Sequence, residues 1–170
     1  MTTYEPFATP GVQVCSLKVT AHQEIAAGTT YRIVRFPFGA DESSDRFQMH
    51  EELQPDGQSV GNWAGDDRSG LIWPSRSGWG QLYAMIQWEA ASPAGGYTEL
   101  RDQFVRSPLT APDTTATDHR APTPGGQYFT KGHGMFVTPG VPIALRVMHN
   151  DASPRNLILA EFKLVIHEAA

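Results

Sequence analysis

The chain has 170 residues, a formal charge of −5 from 18 acidic and 13 basic side chains, and one cysteine. That length suits a single domain able to bury its own core. One cysteine excludes an internal disulfide and a cysteine-built zinc site. Basic residues scattered singly argue against a tight grip on a nucleic-acid backbone. No run of about 18 apolar residues is present to span a membrane. Residues 1–6 show neither the basic region nor the apolar core of a signal peptide, so the sequence reads as a protein made in a cytosol.

In chain order, residues 1–11 form a proline-bearing extended arm, and residues 12–170 one domain. Residues 12–19 alternate apolar and polar, with Cys15 a small buried hydrophobe rather than a reactive thiol. Residues 16–27 fit helical or strand spacing, with the strand preferred. Residues 30–38 are rich in strand formers, with Val34, Phe36 and Phe38 on one face and Arg35 on the other. Residues 46–53 are expected to form a short, more polar strand. A long loop, 57–78, follows. Residues 80–90 then place Leu82, Ala84, Ile86 and Trp88 on one face, with Tyr83, Met85, Gln87 and Glu89 on the other. Residues 97–106 again fit either period, with the strand preferred. A second long loop, 107–126, carries Pro108, Pro112, Pro122 and Pro124 around Thr114, Thr115 and Thr117. Strands are expected at 127–138, at 141–149 with Ile143, Leu145 and Val147 inward, and at 157–167 with Ile158, Ala160, Phe162, Leu164 and Ile166 inward.

Sixteen glycines and thirteen prolines fall between these short runs, as the turns of an all-β protein require. About eight antiparallel strands with irregular connections point to a β-sandwich, a jelly roll.

The residues signal no catalytic chemistry. The six histidines form no close pair. Met49-His50-Glu51-Glu52 supplies one histidine beside two carboxylates, and a second ligand such as His149 would have to come from a distant strand, so no metal site is expected. The acidic groups Asp41, Glu42 and Asp45, Asp66 and Asp67, and Asp113 and Asp118 match no calcium loop and read as solvated turns. No serine sits in a nucleophile elbow, and no glycine loop opens a phosphate-binding helix. No cofactor is expected. Three of the four tryptophans lie in 57–80. There Trp63, Arg68, Trp73 and Arg76 are candidates for recognising a glycan or a protein, beside the plainer reading that Trp73 and Trp79 cap the core.

The stretch Ser77-Gly78-Trp79-Gly80-Gln81-Leu82-Tyr83 through Trp88 resembles the glycine-led central strand of the tumour-necrosis-factor and complement-globular-head jelly rolls. Pro139-Gly140-Val141-Pro142-Ile143-Ala144-Leu145-Arg146-Val147 resembles a later strand of that superfamily, and Leu159 to Ile166 its closing strand. The resemblance covers roughly residues 25–168 at the level of pattern; the family's first Trp or Phe motifs are not evident. It implies a homotrimer whose aromatic outward faces pack about a three-fold axis. Tyr83, Met85, Tyr128, Phe129 and Phe136 are the candidates for that interface. A short chain rich in Trp and Gly, with an Asp-Gly turn and a Pro/Thr loop, also resembles tailed-phage minor tail or capsid decoration proteins. That likeness implies a non-enzymatic virion protein whose partners are its own copies and other virion proteins, with a carbohydrate-binding module as the alternative.

Overall fold

A computed structural model describes residues 11–90 and 98–168. The expected arm lies outside them except for Gly11. The strands are β1 (Gln13–Val19), β2 (Gln23–Ile25), β3 (Arg32–Ile33), β4 (Leu71–Ile72), β5 (Gly78–Trp88), β6 (Leu100–Arg106), β7 (Thr114–Arg120), β8 (Gln127–Val137), β9 (Ile143–His149) and β10 (Arg155–Glu168). One 3-10 turn, Asp67–Gly70, precedes β4. Two antiparallel sheets result. Sheet 1 runs β1-β10-β5-β8, with β2 also on β10; sheet 2 runs β3-β9-β6-β7, with β4 also on β9. The order of strands is that of a jelly-roll sandwich.

Period-two alternation explains the layering. Along β5, Leu82, Ala84, Ile86 and Trp88 are buried while Trp79, Gln81 and Tyr83 are exposed. Facing them across the core, β9 and β6 contribute Ile143, Leu145, Val147, Leu100 and Phe104. Phe162 of β10 stacks on Phe104 of the other sheet, with centroids 5.7 Å apart, and tilts against Phe36 at 6.3 Å. The glycines that open β5 are forced by close approach. A Cβ on Gly78 would lie 2.1 Å from the His167 carbonyl oxygen of neighbouring β10.

Five local expectations change. The strand expected over 30–38 is reduced to the two residues of β3, because beyond Ile33 the Arg35 backbone is held by the Gln23 side chain and the Phe36 amide donates to the Ser69 carbonyl (3.3 Å), where a continuous ladder would need one strand partner. Residues 46–53 are not a strand. The Asp45 carboxylate accepts from the amides of Met49 (2.8 Å) and His50 (2.7 Å), and Gln48 turns through φ 55°, so a side-chain-capped turn takes the place of a ladder. Within the expected loop 107–126 lies β7: its β-branched threonines favour extended backbone, and as a half-exposed outermost strand it needs no apolar alternation. The loop 57–78 contains the 3-10 turn and β4. In β10 the register shifts between Leu157 and Leu159, so Leu157 is buried and Ile158, expected inward, is half-buried. The segments that also fitted a helix are β1 with β2, and β6.

Where the sheets part, polar groups close the sandwich. On the β7/β8 side, Asp102 and Lys131 project between the layers and are buried. Lys131 Nζ lies 3.3 Å from Asp102 and also pairs with Asp118, while Arg120 pairs with Asp102. Two acids and two bases thus neutralise one another over the rim of the core, with Lys131 above the Phe104 ring and Arg120 above Phe129. Arg120 also donates to the Thr130 carbonyl (3.1 Å), and Arg106 to the Phe136 carbonyl (2.6 Å). On the β2/β3 side the side-chain amide of Gln23 donates to the Arg35 carbonyl (2.8 Å) and accepts from the Arg35 amide (2.9 Å).

Lys131, beside Asp118, holds that carboxyl below its usual value of 3.8. A carboxyl lowered in the folded chain stabilises the fold above its ordinary titration range, and the effect is lost as pH falls through the lowered value. The melting temperature is therefore expected to drop below about pH 4, and Asp118→Asn to flatten part of that drop. Thermal unfolding followed from neutral to acid pH checks this; an identical acid limb in the variant would remove the pair from the account.

Candidate functional site

The outer surface of sheet 1 is built by the strand register. Antiparallel pairing sets Trp79 opposite Phe136, Tyr83 opposite Gly132, Met85 opposite Thr130, and Gln87 opposite Tyr128. On the other side of β5, Lys163 lies opposite Tyr83 and Glu161 opposite Met85. These alternate positions point away from the core, and their aromatic side chains are uncovered: Trp79 is 41% exposed, Tyr83 46%, Tyr128 62% and Phe136 65%. A sheet facing only water would carry polar residues here.

The aromatic groups are ordered against one another. Trp79 meets Phe136 edge-on, centroids 5.0 Å apart and planes at 82°, the arrangement ring quadrupoles favour. Trp79 lies over Gly134, where a Cβ would come within 2.4 Å of its ring. Gly132, the next glycine of β8 on this face, leaves a depression of about 500 Å³ bounded by Tyr83, Met85, Thr130, Glu161 and Lys163. Lys163 and Glu161 pair at 2.9 Å beside it, so the face has an apolar centre and a balanced charged margin.

Of the five residues singled out by sequence for this surface, Tyr83, Met85, Tyr128 and Phe136 share it. Phe129 does not: it pairs with Ile86, faces the core side of β8, and is half-covered by Arg120, whose guanidinium lies 4.8 Å from the ring centroid. Trp79 joins the surface unforeseen. Extending the alternation of β5 one pair towards its start would have placed it there.

The outer surface of sheet 2 differs in kind. A polar ladder crosses four strands or their flanks: Thr117 accepts from Gln103 (2.9 Å), Gln103 accepts from Arg146 Nε (2.9 Å), and Arg146 lies 5.2 Å from the Tyr31 ring centroid. Apolar residues of that surface, Leu71, Trp73, Val105 and Ala144, are buried as a second small cluster.

The four residues proposed for recognition by the loop 57–80 do not converge on one site. Trp73 is 5% exposed within the second cluster. Arg68 is paired with Asp56 at 2.8 Å. Arg76 donates to the carbonyls of Gly11 (2.6 Å) and Ile166 (3.3 Å), fastening the start of the described chain to β10. Trp63 borders a cleft beside β2 and β3, whereas Arg68 and the rim of Trp73 border a separate, shallower depression beside Leu109 and Pro142. Of the histidines weighed as ligands, His50 is buried against the Ser69 carbonyl (2.7 Å) and stacks on Phe38, with burial lowering its pKa, while His149 is buried against the Ile25 carbonyl (3.0 Å). Among the described residues no three His, Cys, Asp or Glu side chains come together as a metal would need.

Among solved structures, the fold aligns with the globular domain of zebrafish complement 1qA protein, with a TM-score of 0.58 and 11% identity over 93% of this chain and 99% of that one. It aligns equally with the Eiger tumour necrosis factor of S. frugiperda, with a TM-score of 0.57 and 10% identity over 94% of this chain and 95% of that one. The fold is their jelly roll. At such identities the likeness is one of fold. No protein-family profile matches the sequence, and no curated protein sequence does.

The burial difference between two of the loop tryptophans is directly measurable. Trp73→Ala is expected to destabilise the fold by about 3–5 kcal/mol, the usual cost of emptying a large buried site. Trp63→Ala, at a half-buried position, is expected to cost clearly less. Equal urea midpoints for the two variants would contradict these placements.

Proposed function

We propose that this chain is a non-enzymatic structural protein that assembles as a homotrimer through the outer surface of sheet 1, serving in a virion as a capsid decoration or minor tail protein. The observation that carries the assembly is the set of four exposed aromatic side chains, Trp79, Tyr83, Tyr128 and Phe136, on one sheet surface. Uncovered aromatic rings at this density mark an interaction surface. The paired Lys163 and Glu161 at its margin leave no net charge there to repel a second copy. The polar ladder on sheet 2 gives the opposite surface no comparable apolar area. The two jelly rolls of similar fold support the same arrangement, since the trimer is what the sequence's resemblance to their superfamily implies. The virion setting is supported by the phage-like composition and by the lack of any catalytic constellation in the sequence.

Light scattering on the eluting protein tests the assembly. The wild type is expected at three times the 18.6 kDa chain mass. Tyr83→Glu and Phe136→Glu, both at exposed sites, are expected to run as folded monomers, because a charge buried at an interface without a partner is costly. A monomeric wild type at micromolar concentration would overturn the trimer. The virion reading is checked by mass spectrometry of purified particles; particles without the chain would count against it.

A further inference from the structure

The parting between β2 and β3 holds a second feature, a cleft of about 550 Å³. Its walls come from different sheets, β2 from sheet 1 and β3 from sheet 2, and the paired hydrogen bonds between Gln23 and the Arg35 backbone fix their separation. Arg35 then braces the far wall. Its Nε and Nη2 donate to Asp67 at 2.9 and 2.7 Å, and its Nη1 to the Ala64 carbonyl at 2.6 Å. The buried Ser69 hydroxyl donates to the carbonyls of Trp63 (2.6 Å) and Asp66 (2.8 Å). The loop that carries Trp63 is thereby held at several points, and the ring stands half-buried in the cleft wall.

Three polar side chains line the same cleft with nothing to do in the fold. His22, Glu24 and Arg32 are exposed, and none forms a hydrogen bond or ion pair with a described residue. The carboxylates of Glu24 and Asp67 offset the guanidinium groups of Arg32 and Arg35, so these four groups carry no net formal charge. That balance disfavours an ionic ligand. An aromatic face, a free carboxylate and a free guanidinium on a braced frame suit an uncharged ligand with an apolar ring face and hydroxyls around its edge. The volume holds one or two such rings.

We propose that this cleft binds a neutral pyranose sugar, with the ring face on Trp63 and hydroxyls held by Glu24 and Arg32. The site does not involve the outer surface of sheet 1 and does not depend on assembly. Saturation-transfer NMR and calorimetry, with the methyl pyranosides of glucose, galactose, mannose and N-acetylglucosamine at millimolar concentration, test it. At least one pyranoside is expected to bind, while glycerol, which has hydroxyls but no ring face, is not. Arg32→Ala and Glu24→Gln are each expected to weaken binding by about tenfold or more, the usual loss for one charged hydrogen bond. Both positions are exposed and unpaired, so the variants are expected to keep the wild-type unfolding midpoint and, by light scattering, the wild-type mass. Trp63→Ala is expected to abolish binding. No transfer to any pyranoside, equal transfer to glycerol, or undiminished binding by the Glu24/Arg32 double variant overturns the proposal, whatever the oligomeric state proves to be.

Discussion

Phe162 stacking on Phe104 and leaning on Phe36 joins the two sheets across the core, and the remaining features follow from keeping that space apolar. Every strand of the core must present one apolar side inward. Polar side chains are then confined to the outer surfaces and to the two partings where the layers reach solvent. The β7/β8 parting is the more demanding, because Asp102 occupies an inward position on β6. Buried carboxylates persist only when paired; Lys131 and Arg120 compensate Asp102, and Asp118 balances the second of those cations. The β2/β3 parting is closed by an uncharged device, a glutamine amide imitating a strand partner for Arg35. The milder closure leaves room for the cleft beside Trp63.

The two outer surfaces have been used differently. Sheet 2 covers its apolar residues with Trp73 and presents a hydrogen-bonded row from Thr117 to Arg146. Sheet 1 does neither. Its rings stand on a long strand pair, eleven residues each from β5 and β8, where glycines at 132 and 134 deny the surface any filler of its own except Trp79. A hydrophobic surface set on paired strands, rather than on a loop, is suited to a fixed partner geometry.

Much of this was legible from alternation alone. Leu82 to Trp88 and Phe162 to Ile166 announce a two-layer core because period two over that length has no other economical reading. The glycine-led motif at Gly78 was also visible, and its cause is the backbone contact with His167. What was hidden has a common physical origin: it depends on contacts between residues distant in sequence. A row of threonines does not reveal that it is β7 until β6 lies beside it. Asp118 reads as part of a solvated turn, because nothing local says that it meets Lys131 and Arg120, or that they meet Asp102. The tryptophans of 57–80 looked alike as a composition, yet one is buried, one borders the cleft, and one belongs to β5. Phe129 follows Tyr128 directly in an aromatic run, yet consecutive residues of a strand point to opposite sides, so only Tyr128 faces outward.

The two arginines that reach β8 have a further bearing. β8 ends sheet 1, and an outermost strand ordinarily offers its free backbone groups to whatever extended chain comes near. Arg120 and Arg106 occupy the carbonyls of Thr130 and Phe136, towards either end of that strand. Two of the carbonyls that an added strand would need are therefore already taken by side chains of the same chain. The arginines thus guard that edge against the strand-on-strand pairing by which sheets aggregate.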